Sequence, residues 1–355
     1  MKKSVYINSI GSVSVQKTYD NSEFLEEIIT YNDTTLKVLD PNYKDYIPPA
    51  AARRMAKGVK MSTVSSQTAL KEAGLENVDA IIVGTGLGCL RDSEKFVGDI
   101  IDNDEQYLTP TRFIQSSHNT VAGQIALGMG CKGYNFTYVH ANISFESCLW
   151  DAKLQLETNE ANHILVGGVD EMVKHHVDTH RLIGHLKEES VTNSEVLHSR
   201  TKGCVVAEGS HFFVLSNEKQ DSTYSKLIGI RTYNTLELSQ VSKTIASFLS
   251  DMIVPLDTID LVVLGNNGDS EYDTYYTNLS EGLFKTIPQV AFKHLSGEYD
   301  TATGFAFWMA NKIFKTRSVP EVLQLNTLKA SKPQRVLIYN QYRGKNHSLV
   351  LLEKC

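Results

Sequence analysis

The sequence predicts an α/β protein with buried parallel strands. Short apolar runs that break into glycine occur at residues 79–88 and 163–171, and such runs are typical of strands buried on both faces of a sheet. Helix-like segments alternate with these runs, which favours parallel strands joined by helical crossovers. A later part of the chain repeats this order of elements.

The elements of the first half follow in order from local patterns. Residues 5–10 are β-rich and predict a first strand rather than a signal peptide, because Asn8 and Ser9 interrupt any apolar stretch. Residues 49–74 carry Ala, Met and Leu at near-helical spacing, so they predict a helix that ends at a glycine. Residues 134–156 change from a β-rich to a helix-like pattern near Asn142.

The second half mirrors the first. Residues 260–270 repeat the pattern of residues 79–88, an aspartate followed by an apolar run that breaks into glycine. Residues 287–314 repeat the passage from strand to helix around Asn142, and residues 334–353 predict two strands joined by a glycine-containing turn.

Two halves of similar plan are therefore expected, residues 1–218 and 225–355, joined by a polar stretch. The alternative is that α/β proteins resemble one another at this coarse level.

Composition excludes several classes of protein. The chain has 355 residues, 41% of them hydrophobic, so it can bury a large core. A net charge of −6 argues against a nucleic-acid partner. Five cysteines without CxxC pairs suggest neither disulfides nor a zinc knuckle, and no apolar stretch approaches the roughly 18 residues of a membrane span. We expect a cytoplasmic protein without a cofactor.

Residues 174–202 gather five of the eleven histidines. His176 and His180 could share a helix face, with His175 and His185 nearby, and such a cluster is compatible with a metal site. Asp178 is the only acid among them and would point away from that face. The preferred interpretation is a mobile, solvated surface loop, with no metal.

Seven blocks of sequence, taken together and in order, carry a family resemblance. They are VYINSIGSVS, IPPAAARRMAKGVKMSTVSSQTALKEAGL, DAIIVGTGLG, FIQSSHNTVAGQIALGMGCKGYN, HILVGGVDEM, TKGCVVAEGSHFFVLSNE and YRGKNHSLVLL. The chain resembles the β-ketoacyl synthases. That resemblance implies a thiolase-like fold, in which two duplicated βαβαβ halves form a five-layered α-β-α-β-α sandwich.

The family's chemistry needs a cysteine at a strand-to-helix elbow, which takes the acyl chain, and two histidines that stabilise an enolate. Against the family's motifs, Asn142 stands at the position of the cysteine, Asn267 at the first histidine and Glu298 at the second. An amide cannot form a thioester, and an ionised glutamate repels a developing oxyanion. The resemblance therefore implies that no catalytic residue remains at this site.

Other positions of the family's pocket are retained. Lys293 stands where the family has its lysine, and we expect it to pair with Glu298; the alternative is a solvated surface lysine. Gly297 and Gly344 keep the family's glycines, and Tyr342 takes the place of the aromatic residue in the closing turn.

A substitute nucleophile is disfavoured. Ser144 and Cys148 lie two and six residues beyond the elbow, and on a helix they do not replace a group at its tip. Cys148 is expected to be a core residue. His140 and Glu146 could pair with Ser144 for hydrolysis, but nothing in the spacing fixes an orienting third group.

The resemblance implies a catalytically inactive subunit, similar to the chain-length factors that pair with an active ketosynthase in polyene, polyketide or fatty-acid-type biosynthesis. The expected partners are that ketosynthase, in a heterodimer, and an acyl carrier protein reached through the complex. The family dimerises through the segment just before the nucleophile strand, so the resemblance implies a dimer face that includes Asn119, Ala122 and Gly123. The small residues of this segment would allow close backbone approach. The alternatives are a malonyl-thioester decarboxylase and a stand-alone module that binds an acyl chain or carrier protein.

Overall fold

The structure is a computed structural model that describes residues 3–355, so the first two residues of the predicted first half lie outside it. Within that range ten strands form one sheet. They are β1 Tyr6–Val13, β2 Ala80–Gly84, β3 Tyr134–Tyr138, β4 His163–Asp170, β5 Gly209–Ser216, β6 Ser225–Thr235, β7 Leu261–Leu264, β8 Gln289–Ala291, β9 Arg335–Tyr342 and β10 Lys345–Lys354.

Helices cover much of the remaining chain. They are α1 Pro49–Ala52, α2 Lys57–Ala73, α3 Leu90–Asp102, α4 Pro110–Ser116, α5 Thr120–Met129, α6 Ser144–Thr158, α7 Lys174–Leu182, α8 Asn193–Val196, α9 Leu238–Asp251, α10 Thr274–Glu281, α11 Lys293–Ser296 and α12 Thr303–Thr316. The predicted helix over residues 49–74 is thus two helices, α1 and α2, and the first strand is longer than expected.

The strand order is symmetric about the middle of the sheet. It runs β3-β2-β4-β5-β1-β6-β10-β9-β7-β8, so the order from one edge, β3-β2-β4-β5-β1, matches the order from the other, β8-β7-β9-β10-β6. Strand directions match as well, because β2 is parallel to β3 and β4 while β7 is parallel to β8 and β9. The buried parallel strands are confirmed in both halves, and antiparallel strands flank them. The division of the chain into two halves, residues 1–218 and 225–355, stays a prediction.

Three apolar clusters separate the layers. The largest surrounds α6 and α12, and every residue of α12 from Thr303 to Phe314 is buried. The second packs α2 and α5 on the first half of the sheet, and the third packs α9 and α10 on the second half. Helices therefore lie on both outer faces and in the middle, which is the α-β-α-β-α arrangement that the resemblance implied. Among the described helices, none is long and apolar enough to cross a membrane.

Gly84, at the end of β2, fixes how closely the start of α6 approaches the sheet. A Cβ atom at Gly84 would lie 2.7 Å from the backbone carbonyl atoms of Ser144, which cannot move without shifting the helix. We expect Gly84→Ala to lower the free energy of unfolding by about 1–3 kcal/mol, the usual cost of overpacking. Chemical denaturation measures this change in the free energy of unfolding.

Gly123 supplies the matched control for that substitution. A Cβ atom at this position in α5 would meet nothing within 4 Å. Gly123→Ala should leave stability unchanged or raise it by about 0.5–1 kcal/mol, because alanine favours the helix. Equal losses of stability in Gly84→Ala and Gly123→Ala would contradict the proposed close contact at Gly84.

Candidate functional site

A strand-to-helix elbow carries Asn142, where the sequence predicted one. Strand β3 ends at Tyr138, a 3-10 turn spans Ala141–Ile143, and α6 begins at Ser144. Ala141 adopts a left-handed φ of 47°, which turns the chain sharply. Asn142 is only 4% exposed, and its side chain lines a cavity of about 560 Å³. The amide thus occupies the tip of the elbow.

Ser144 and its neighbours do not form a hydrolytic site. The Ser144 hydroxyl accepts a hydrogen bond from the His140 amide at 2.8 Å and lies 2.7 Å from the Ala141 carbonyl oxygen, so it stabilises the elbow itself. The His140 ring contacts Ser147, and Glu146 accepts a hydrogen bond from Ser348. The three side chains therefore make separate contacts.

Cys148 is a core residue, as predicted. It is fully buried in the central cluster, and its thiol donates to the Ser144 carbonyl oxygen at 3.2 Å. Burial raises the pKa of the Cys148 thiol well above its usual value, which opposes formation of a thiolate.

Lys293, Asn267 and Glu298 form one buried polar network. The Lys293 ammonium and the Asn267 amide each donate a hydrogen bond to Oε2 of Glu298 at 2.7 Å. The side chains of Lys293 and Glu298 are 0% and 4% exposed. The predicted Lys293–Glu298 pair is confirmed, and the surface-lysine alternative is wrong.

Gly297 positions the acid of this network. Its φ is 69°, and a Cβ atom there would lie 2.3 Å from the Cβ of Ala207, so only glycine fits. The next residue, Glu298, is held by a hydrogen bond from its amide to the Val205 carbonyl oxygen at 2.8 Å. The retained glycine therefore has a structural role in directing Glu298.

The cavity unites several of the predicted positions. Asn142, Glu298 and Tyr342 line it, while Asn267 and Lys293 lie behind Glu298. Gly344 forms the β9–β10 turn with a φ of 72° and does not line the cavity. Burial raises the pKa of the Tyr342 hydroxyl, so this residue is a neutral hydrogen-bonding group.

Three further acids line the cavity, Asp170, Glu171 and Asp300, and none of them was anticipated. Asp170 accepts hydrogen bonds from Thr85 and Gly86 and from both the amide and the hydroxyl of Thr301. Asp300 also lines the cavity, and burial together with the charges of Asp170 and Glu298 raises its pKa to about 8. Asp300 stands only two residues after Glu298, which is the sequence signal that could have indicated it.

The histidines of α7 form part of the cavity wall, so the expectation of a mobile surface loop is wrong. The rings of His176 and His180 lie 4.3 Å apart and those of His180 and His185 lie 5.0 Å apart. Burial, followed by the proximity of His180, lowers the pKa of His176 to about 4. The i, i+4 spacing correctly indicated a shared helix face. Within residues 3–355, no group of three or more His, Cys, Asp or Glu side chains is arranged to hold a metal.

One of the three residues expected at a dimer face is buried, and the position of the face itself stays a prediction. Asn119 is exposed and Gly123 has open space beside it, but Ala122 is fully buried in the cluster between α2, α5 and the sheet. Ala122 therefore cannot contact a partner, because helical periodicity turns it inward. The exposed apolar side chains nearby belong to α5, β3 and α6, namely Leu127, Tyr134, Phe136, Trp150 and Leu154.

A family model and several curated relatives match part of this chain. A family model described as the N-terminal domain of β-ketoacyl synthase matches residues 17–221. The 3-oxoacyl-[acyl-carrier-protein] synthase 2 of Staphylococcus aureus strain N315 is 20% identical over 209 residues, which are 54% of this chain and 50% of the relative. The chain thus spans about half the length of the curated relatives it matches.

Solved structures share the fold over the whole chain. The ishigamide ketosynthase/chain length factor superposes with a TM-score of 0.81 at 16% identity and covers all of both chains. The complex of the ketosynthase ApeO with its chain length factor ApeC from Xenorhabdus doucetiae gives a TM-score of 0.74 at 13% identity, over 99% of this chain and 98% of that one. The family model covers more than half of the sequence. This chain belongs to the β-ketoacyl synthase family.

Proposed function

We propose that the chain is a catalytically inactive ketosynthase-like subunit, a chain-length factor that pairs with an active β-ketoacyl synthase and helps shape its acyl tunnel. The proposal rests on three side chains, one at the elbow and two in the polar network beside the cavity. By the motif resemblance, Asn142, Asn267 and Glu298 take the positions of the family's cysteine and two histidines. The side chains of Asn267 and Glu298 hydrogen-bond to each other.

Covalent capture of an acyl chain lacks a nucleophile in this arrangement. Asn142 has no thiol, and none of the cysteines in the described chain lines the cavity. Burial raises the pKa of the Cys89, Cys148 and Cys204 thiols, so the buried cysteines also lack thiolate character. Condensation would therefore depend on a cysteine that a partner subunit supplies.

Stabilisation of an enolate is also missing, which disfavours the decarboxylase alternative. Asn267 directs an amide hydrogen at Glu298 rather than at the cavity, and Lys293 donates to the same oxygen. Glu298 presents a carboxylate where the family has a hydrogen-bond donor. A developing negative charge beside it would be repelled instead of stabilised.

An open sheet edge supports the pairing with a ketosynthase. In the described chain β3 pairs only with β2, so its other edge leaves backbone donors and acceptors free. Tyr134 and Phe136 on this strand are 43% and 44% exposed, and Trp150 on α6 is 54% exposed. An exposed aromatic patch beside an unpaired strand edge is typical of a protein interface.

A basic groove supports contact with an acyl carrier protein once the heterodimer has formed. Its volume is about 650 Å³, and its cationic lining residues are Lys37, Arg53, Arg54, Lys57, Lys60, Arg91, Lys95 and Arg112. Lys57 pairs with Glu208 and Arg112 pairs with Asp99. The other six cations outnumber the two remaining acids of the lining, Asp40 and Asp92, and leave a net positive surface on a chain of net charge −6. Such a surface would attract an acidic carrier protein.

Restoring the nucleophile alone tests the proposal. We expect Asn142→Cys to react with thiol-directed ketosynthase inhibitors, because the position lines a cavity, yet to support no chain elongation without a partner. Asn267 and Glu298 still lack imidazole donors, and loss of one oxyanion donor alone typically costs about 100–1,000-fold in rate. Intact-mass analysis and a condensation assay with malonyl carrier protein measure the two outcomes.

The unaltered chain is the control for this experiment. It should acquire no inhibitor adduct and no acyl group at position 142. An acylated peptide containing Asn142, or elongation by the single variant on its own, would contradict the inactive-subunit proposal.

A further inference from the structure

The acidic end of the elbow cavity contains hydrogen-bond acceptors that the chain itself does not satisfy. Glu298 is 4% exposed, and its Oε2 receives Lys293 and Asn267, but its Oε1 has no hydrogen-bond partner in the described part of the chain. Neither carboxyl oxygen of Asp300 has a hydrogen-bond or ion-pair partner within residues 3–355. Both side chains line the cavity.

Positive charge is scarce at this end of the cavity. The four hydrogen bonds to Asp170 come from neutral groups of Thr85, Gly86 and Thr301. Lys293 is committed to Oε2 of Glu298. A fourth acid of the cavity, Glu171, accepts hydrogen bonds from the backbone amides of Gly58 and Arg91. Asp170, Glu298 and Asp300 therefore share the Lys293 ammonium, and buried carboxylates in such surroundings require either a proton or a further cation.

In the described chain, the other cations that line the cavity form no ion pair with these carboxyl groups. The Arg343 guanidinium pairs with Asp269 at 3.1 Å and stacks on the Tyr272 ring at 4.6 Å. Lys345 lies at the exposed start of β10. The histidines of α7 are neutral near pH 7, because burial lowers the pKa values of His176, His180 and His185.

We propose that this cavity binds a small organic cation, a primary ammonium group on a short aliphatic chain, with the ammonium against the Asp300 carboxyl group and the Asn142 side-chain oxygen. An ammonium supplies up to three hydrogen bonds, and these groups offer free acceptors. Leu87, Met172 and Val177 line the same cavity and would contact the aliphatic part. The volume of about 560 Å³ suits a ligand of this size.

Other ligand classes fit the site less well. No group of three metal-ligating side chains in the described chain has the arrangement of a metal site. A carboxylate ligand, including a malonyl group, would meet Glu298, and Asp300 once it is ionised, with the same sign of charge. The inference does not rest on the inactive-subunit proposal, because it concerns only the charge and the free acceptors of the cavity.

Binding of n-butylammonium to the full chain tests the inference, with isothermal titration calorimetry as the readout at fixed ionic strength. The pH is kept above the pKa of Asp300, which is about 8, so that this side chain is ionised. n-Butanol has the same aliphatic body without charge, and butyrate reverses the charge. We expect n-butylammonium to bind at least about tenfold more tightly than either, since hydrogen bonds to charged groups contribute about 1.5–3 kcal/mol. Equal affinity for the ammonium and the alcohol would overturn the inference without any variant.

The Asp300→Asn variant tests whether n-butylammonium binds in this cavity. It removes the unpaired acid with almost no change in shape, so the variant should be at least as stable as the parent and should lose about tenfold or more in n-butylammonium affinity. The matched control is Asp178→Asn, which removes an exposed carboxylate from α7. Unchanged affinity in Asp300→Asn, or an equal loss in Asp178→Asn, would overturn the assignment to this cavity.

Discussion

Lys293→Met is expected to lower the free energy of unfolding by about 3–5 kcal/mol, the usual cost of leaving a buried charge unpaired. The substitution removes the cation from Oε2 of Glu298, whose Oε1 already lacks a partner. Lys293 also stabilises the nearby charges of Glu146 and Asp273, since its charge opposes the rise in their pKa that burial causes. Urea or guanidinium denaturation measures the loss.

A double-mutant cycle separates the unpaired charge from the lost packing. Glu298→Gln keeps an oxygen that accepts the Asn267 amide but removes the charge, so Lys293→Met combined with Glu298→Gln should recover most of the stability. Lys174→Met is the matched control, because its ion pair with Asp178 is exposed and should contribute less than about 0.5 kcal/mol. A loss below about 1 kcal/mol in Lys293→Met would contradict a buried, energetically coupled network.

Features set by local sequence were predicted well. The elbow near Asn142, the buried parallel strands and the Lys293–Glu298 pair depend on residues close together in the chain, or on a register that the family resemblance supplied. Glycine marked where the chain turns, as at Gly297.

Features that depend on distant segments were not predicted. The raised pKa of Asp300 depends partly on the charge of Asp170, which β4 places near it from 130 residues away in sequence. Helix α7 looked like a solvated loop because its sequence is polar, and only Val177 among its residues is buried. It packs over the cavity through partly buried histidines, which a hydrophobic pattern does not reveal.

The expected dimer face also shows that contacts between distant segments are hard to predict from sequence, and Ala122 is the example. Small side chains in α5 suggested close approach of a partner, but smallness serves packing against α2 as well as contact between subunits. Ala122 packs inward, whereas Gly123, one residue later on the helix, lies beside open space. The aromatic residues of β3 give the clearer signal, since Tyr134 and Phe136 alternate onto one exposed face of an edge strand.

Phe136→Lys is expected to weaken binding of the proposed partner, an active ketosynthase, by about 30-fold or more. A buried interface aromatic typically contributes at least about 2 kcal/mol, and the substitution places a charge where the proposed interface excludes water. Phe136 is 44% exposed in the isolated chain, so the lysine should be tolerated there without loss of folding. Co-elution and titration of the two purified subunits measure the change.

Two further variants separate an interface effect from a general surface effect. Gly123→Trp projects a large side chain from α5 into open space and should also break the association, while leaving the subunit folded. Leu328→Lys changes a residue of similar exposure, 39%, that lies outside the proposed face, so it should bind the partner normally. Because the open edge of β3 is the feature that calls for a partner, unchanged co-elution of Phe136→Lys and Gly123→Trp would move the interface elsewhere on the molecule. Weakened partner binding by Leu328→Lys, with normal binding by Phe136→Lys and Gly123→Trp, would also place the interface elsewhere on the molecule.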